Sequence, residues 1–247
     1  MNYRTIDMKS YPRRAHFDYF RSLQNPMLGV TVDVDVTALR DFCKAEGCSL
    51  YLAFMRCAAR AANAVPQLRQ RIRDGGIVEY DACGTSHVEL RSDGTYGYCT
   101  LYHDRPFREY LEYARTERLR CREAASIEED EDVEALYFIT SLPWLHYTQL
   151  IQPTAGGDES NPRISWGRYE ADHRGRLMLR GRCWPTTRWW TACSLPSSTK
   201  ISTGRSLSWQ WELTAFRRCD KLLITGCCKW RCGVHPCNTT LPVGAIS

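Results

Sequence analysis

The residue statistics of this 247-residue chain change near position 180, and that change limits how much of it can build one regular fold. The last 67 residues hold seven of the 13 cysteines and six of the eight tryptophans, yet only two acidic residues, Glu212 and Asp220. Residues 1–180 carry 24 Lys and Arg against 26 Asp and Glu, so the formal net charge of +5 comes from the tail, with nine against two. We therefore read 1–180 as a globular segment and 181–247 as a Cys-, Trp- and Arg-rich tail that is not a domain of its own. The whole-chain apolar fraction of 43% suits a protein long enough to bury a core. No run of eighteen apolar residues is present to cross a bilayer, so no membrane partner is expected. The start, Met-Asn-Tyr-Arg, lacks the apolar region of a secretory signal, which makes cytoplasmic the expected location. Basic tails that bind nucleic acid are rich in lysine and poor in Cys and Trp, so no nucleic-acid partner is expected either.

The first 180 residues alternate strand and helix signals, an α+β pattern. Val30, Val32, Val34 and Val36 repeat with period two, a half-buried strand, and Thr37 then opens a helix. Ser49 is an N-cap ahead of Leu50, Ala53, Phe54, Cys57 and Ala61 on one helical face, with Pro66 closing the helix and Cys57 a small buried apolar residue. Ile77 to Tyr80 and His87 to His103 read as strands, the second folded at Ser92-Asp93-Gly94. Pro106 starts an amphipathic helix through Phe107, Tyr110, Leu111, Ala114 and Leu119, and the acidic run Glu128 to Asp132 reads as a solvated loop. Ala135 to Thr140 is an apolar strand that delivers Ser141-Leu142-Pro143-Trp144, and Ile164 to Tyr169 with Arg176 to Leu179 form a hairpin around His173-Arg174-Gly175.

Several segments, in order, resemble the chloramphenicol acetyltransferase family from about Tyr11 to Leu179. They are Arg13-Arg14-Ala15-His16-Phe17, Tyr51-Leu52-Ala53-Phe54, Ala62 to Arg69, Asp74-Gly75, Tyr80-Asp81, Ser141-Leu142-Pro143-Trp144 and Trp166-Gly167-Arg168-Tyr169. The resemblance implies a CoA-dependent acyltransferase fold, a two-layer mixed sheet with packed helices. It implies transfer of acetyl from acetyl-CoA to the hydroxyl of a chloramphenicol-like acceptor, without a metal, in a homotrimer whose sites lie between subunits. Such chemistry needs a base for the hydroxyl proton and a donor for the tetrahedral oxyanion. By resemblance Ser141 is the oxyanion donor, Ser165 a hydroxyl near the transition state, Arg13 the arginine that fixes the base strand, and Phe20 and Tyr96 acceptor-pocket aromatics.

The base itself, the second His of a His-His-x-x-x-Asp-Gly motif, does not follow Leu179; the next histidine is His235. The remaining histidines, His16, His87, His103, His146 and His173, read as surface or hydrogen-bonded core residues. Read one base earlier, codons for Cys183 to Cys193 permit Leu-Ala-His-His-Ala-Leu-Val-Asp-Gly, because Trp has a single codon and Pro, Thr and Ala fix their first two bases. A frameshift between about Leu179 and Arg182 therefore accounts for both the lost motif and the change in composition, with the C-terminal strand and helix replaced by off-frame sequence.

That reading predicts an inactive, poorly soluble chain that does not trimerise, with six tail tryptophans, Trp184 among them, lacking any pattern that buries them. The alternative is a non-catalytic chain that still binds an acceptor or a partner through residues 1–180. Cys227, Cys228, Cys232, His235 and Cys237 match no standard zinc spacing, so no metal is expected.

Overall fold

The computed structural model describes residues 1–124 and 132–185. In chain order the elements are β1 (Tyr3–Thr5), α1 (Arg14–Arg21), β2 (Val30–Asp35), α2 (Thr37–Ala45) and α3 (Leu50–Asn63). A 3-10 turn (Pro66–Arg69) leads to β3 (Gln70–Arg73), β4 (Gly76–Tyr80), β5 (Gly84–Leu90), β6 (Tyr96–Leu101) and α4 (Phe107–Glu123). The last three strands are β7 (Leu136–Ser141), β8 (Arg163–Ala171) and β9 (Leu177–Trp184). Six strands form the main sheet in the order β2-β9-β8-β7-β5-β6, with β7 parallel to both its neighbours and the other pairs antiparallel. A second sheet, β1-β4-β3, holds the strand expected at Ile77 to Tyr80.

The local signals act as expected. Asp35 accepts from the Thr37 backbone N–H at 3.0 Å and from its hydroxyl at 2.7 Å, which fixes the entry to α2. Ser49 caps α3 by accepting from the Leu52 N–H, and the helix buries Leu52, Ala53, Met55 and Cys57. Gly94, at φ 84°, makes the β5–β6 turn, and Gly175, at φ 73°, the β8–β9 turn, conformations that suit glycine. Of the acidic run only Asp132 is described, and it accepts from the Tyr80 hydroxyl at 3.0 Å.

The change in composition at residue 180 is not a change in structure there. β9 continues through Trp184, pairing with β2 from Val30↔Cys183 to Asp35↔Met178, and the Leu28 N–H donates to the Pro185 carbonyl at 2.9 Å. Trp184 is 7% exposed, contrary to the expectation that nothing would bury it: position 184 lies opposite Arg163 in a strand pair, and pairing needs no periodic pattern beyond its own alternation. The other tail tryptophans, the cysteines from Cys193 onward and His235 lie outside the described residues.

α3 and α4 cover one face of the main sheet. There Trp166 packs on Phe54 at 5.0 Å between ring centroids, and Ile139, Cys99 and Leu101 are buried. Along β5, β6 and β7 the residues that alternate with these, Val88, Leu90, Tyr96, Tyr98 and Thr140, look the other way. Among the described residues no helix is long and apolar enough to cross a membrane.

Candidate active site

Residues paired across a sheet send their side chains to the same face, and successive residues in a strand alternate. Thr140 pairs with Ser165, and Ser165 with Arg182, so two hydroxyls and a guanidinium form a row on the face away from the helices. Ser141 pairs instead with Trp166 and so turns to the helix-packed face. The two serines expected to act together are thus on opposite faces, and the hydroxyl that accompanies Ser165 is that of Thr140. A sequence signal for this exists. Counted back from Pro143, the Ser-x-x-Pro-Trp spacing lands on Thr140, and Ser141 is one residue too late.

The segment after β7 folds back over this row. Leu145 accepts from the Arg168 N–H at 2.8 Å, and a side chain at Gly167 would come within 2.6 Å of the Leu145 carbonyl, so glycine is what permits the approach. This puts the Tyr147 hydroxyl 3.2 Å from Ser165 Oγ, to which it donates. Gln152 Nε2 donates to Thr140 Oγ1 at 2.5 Å. Burial pushes the Tyr147 phenol up, against smaller opposing effects of the Ser165 bond and the Arg182 charge, so it stays a donor at neutral pH. Each of the two row hydroxyls therefore accepts from a fixed neighbour, which leaves its own proton to donate outward.

Three further expected residues lie at other points. Arg13 stands at the start of α1, where its carbonyl accepts from the Phe17 N–H at 2.9 Å, and its charge opposes the rise that burial causes in the Tyr11 phenol. Phe20, half-buried, is on the same helix with its ring 5.2 Å from that of Tyr19. Tyr96 is 44% exposed at the start of edge strand β6, two strands from β7 and on the same face as Thr140. At normal strand spacing that separation is about 10 Å.

The histidines divide by face. His87 and His103 are buried and hydrogen-bonded, as expected. His87 Nε2 lies 3.1 Å from Glu89, and His103 Nε2 lies 2.8 Å from the Thr85 hydroxyl. Burial pushes the His103 imidazole down to about 3, so it stays neutral. His146 lies beside β9, its Nε2 3.4 Å from Glu170 and 3.5 Å from Arg180, a residue on the same face as Arg182. Among the described residues no histidine is hydrogen-bonded to Thr140 or Ser165. Nor do three or more His, Cys, Asp or Glu side chains gather in a group able to hold a metal.

Solved structures of acyltransferases share this fold. A chloramphenicol acetyltransferase matches with a TM-score of 0.71 and 24% identity, over 78% of this chain and 94% of that one. The Azotobacter vinelandii dihydrolipoamide acetyltransferase matches with a TM-score of 0.55 and 14% identity, over 75% of this chain and 83% of that one. The profile of the chloramphenicol acetyltransferase family covers residues 1–175, and the chain belongs to that family. The chloramphenicol acetyltransferase of Klebsiella sp. is 27% identical over 171 residues, 68% of this chain and 77% of that protein. The Escherichia coli chloramphenicol acetyltransferase 2 is 30% identical over 81 residues, 33% of this chain and 38% of that protein.

Proposed function

We propose that this chain carries the oxyanion site of an acetyltransferase acting from acetyl-CoA on the hydroxyl of a chloramphenicol-like acceptor, and that it does not turn over as it stands. The observation that carries this reading is the shared register of Thr140 and Ser165 beneath Tyr147 and Gln152. In the reaction the acceptor oxygen attacks the thioester carbonyl as a base takes its proton. The carbonyl oxygen becomes an oxyanion, and collapse breaks the C–S bond and releases CoA as its thiol. Thr140 and Ser165, each already accepting from a fixed neighbour, are donors set for that oxyanion before the reaction begins. Ser141, turned toward Trp166, supports the strand rather than the oxyanion.

The acceptor side is completed in this reading by Phe20 and Tyr96, and Arg13 braces the strand that should hold the base. Tyr96 shares its face with Thr140, which supports a place in the acceptor wall. The base position follows β9, where a lost reading frame removes it. General-base catalysis is worth about 10²–10⁴-fold, so its loss accounts for inactivity without any change in the oxyanion donors.

The test is release of CoA thiol from acetyl-CoA with and without chloramphenicol. We expect no acceptor-dependent release. A clear acceptor-dependent rate would overturn the inactivity, and His146, held beside Glu170 on the face of Ser165, is then the residue to replace first.

A further inference from the structure

Arg182 is the unexplained charge of this face. It is 9% exposed, and its guanidinium carbon stands 5.3 Å from the centre of the Trp184 ring. Nη2 occupies space that any side chain at Gly29 would fill, since a Cβ there would lie 2.1 Å from it. Among the described residues no carboxylate pairs with Arg182, and its Nε is buried without a hydrogen-bond partner. The nearby arginines are satisfied: Arg180 pairs with Asp33 at 2.9 Å, and Arg163 pairs with Glu159. Ser165, its pairing partner, and Tyr147 bring two hydroxyls to the same place.

We propose that Arg182, flanked by the Ser165 and Tyr147 hydroxyls, holds one oxyanion group, a carboxylate or a phosphate ester carried by a ligand of this face. A buried cation without a counter-charge is unfavourable, and an anion removes that penalty. The planar guanidinium fits two oxygens of a carboxylate or phosphate at once, and Ser165, which accepts from Tyr147 and so keeps its own proton free, adds a neutral donor. The site shares Ser165 with the proposed oxyanion site but requires no step of acetyl transfer, so anion binding tests it separately from the proposed activity.

The experiment titrates the full chain by calorimetry with inorganic phosphate and, separately, with acetate at constant ionic strength. Saturable binding of at least one of them is expected. Arg182→Gln should weaken it about tenfold or more, and Arg182→Lys less, because the charge remains while the fork is lost. Gly29→Ala should weaken it as well, by displacing the guanidinium. Phosphate binding without acetate binding assigns a phosphate ester, and binding of acetate assigns a carboxylate. Failure of both anions to bind, or equal affinity in Arg182→Gln, overturns the proposal. If Arg182→Gln does not fold, Tyr147→Phe, which removes one hydroxyl from a half-buried ring, carries the test: unchanged affinity there counts against the site.

Discussion

The two faces of the main sheet follow different rules. On the helix side Trp166, Ile139, Cys99 and Leu101 are buried against α3 and α4. Glu89 there is bonded to His87, Arg118 and Arg122. On the other side Val88, Leu90, Tyr96 and Tyr98 are between 40% and 67% exposed, and the row Thr140–Ser165–Arg182 lies beneath the segment that carries Tyr147 and Gln152 and beside Gly29. One face is finished by the chain itself and holds the fold. The other presents donors, a cation and apolar side chains to something else. Substitutions should therefore split cleanly: those on the helix face change stability, and those on the open face change chemistry or binding.

The largest effect should come from neither face but from the strand that links them to the base. Correcting the reading frame after Leu179 should restore the His-His-x-x-x-Asp-Gly segment and raise acceptor-dependent CoA release by about 10²–10⁴-fold. Sequencing the gene against an intact relative checks the premise, and absence of any inserted or deleted base defeats it. In the corrected protein Thr140→Ala should lower turnover by about 10²–10³-fold, the loss typical of one oxyanion donor, with the melting temperature little changed. Ser141→Ala should do the reverse, sparing turnover. Equal losses of activity in the two variants would break the division between faces.

Trp166→Ala should cost about 3–5 kcal/mol in a denaturant titration, as for other buried aromatics, because its ring fills the space between Tyr51 and Phe54. Glu89 gives the helix face a pH signature. Burial pushes its carboxyl up, but the bonds from His87 and Arg118 overcome that and bring it from 4.5 down to about 2. A carboxylate lowered on folding stabilises the protein above its unfolded value, and that contribution is lost as pH falls from about 4.5 towards 2. Glu89→Gln should lower stability at neutral pH, because it leaves arginines without their counter-charge, and should flatten the acid limb of the stability profile. An unchanged acid limb would remove Glu89 from the account.

How much of this was legible in the sequence depends on what each feature needs. β2, the Ser49 cap and the Gly94 turn depend on neighbours within a few residues, and all three could be read directly. β3 could not: no local signal in Gln70-Arg71-Ile72-Arg73 marks a strand, yet Arg71 is fully buried because the carbonyls of Leu68, Gln70, Glu134 and Leu136 accept its protons. Such satisfaction comes from distant chain and leaves no local trace. In the site, the strand ending near Ser141 was legible, but the face its hydroxyls take depends on which residue of β8 lies opposite. Register across a parallel pair is a long-range fact. Tyr147 was missed for the same reason, since its contact with Ser165 spans 18 residues.

The smallest effect is expected at the exposed apolar strip, and it bears on what the open face is for. Val88 is 52% exposed on β5, one strand from Thr140, and its replacement removes few contacts within the chain. Val88→Ser should therefore change stability by no more than about 0.5 kcal/mol, the range for surface positions free of special features. If the face meets only water in this chain, the same change should raise the concentration at which the protein stays monodisperse in light scattering, because a smaller apolar patch has less tendency to self-associate. If instead another copy covers it, as in the trimer expected for an intact family member, Val88→Ser should shift the sedimentation profile towards monomer while leaving the monomer's unfolding midpoint in place. A destabilisation of several kcal/mol would mean that Val88 is packed within the chain, and the contrast between the two faces would then not extend to β5.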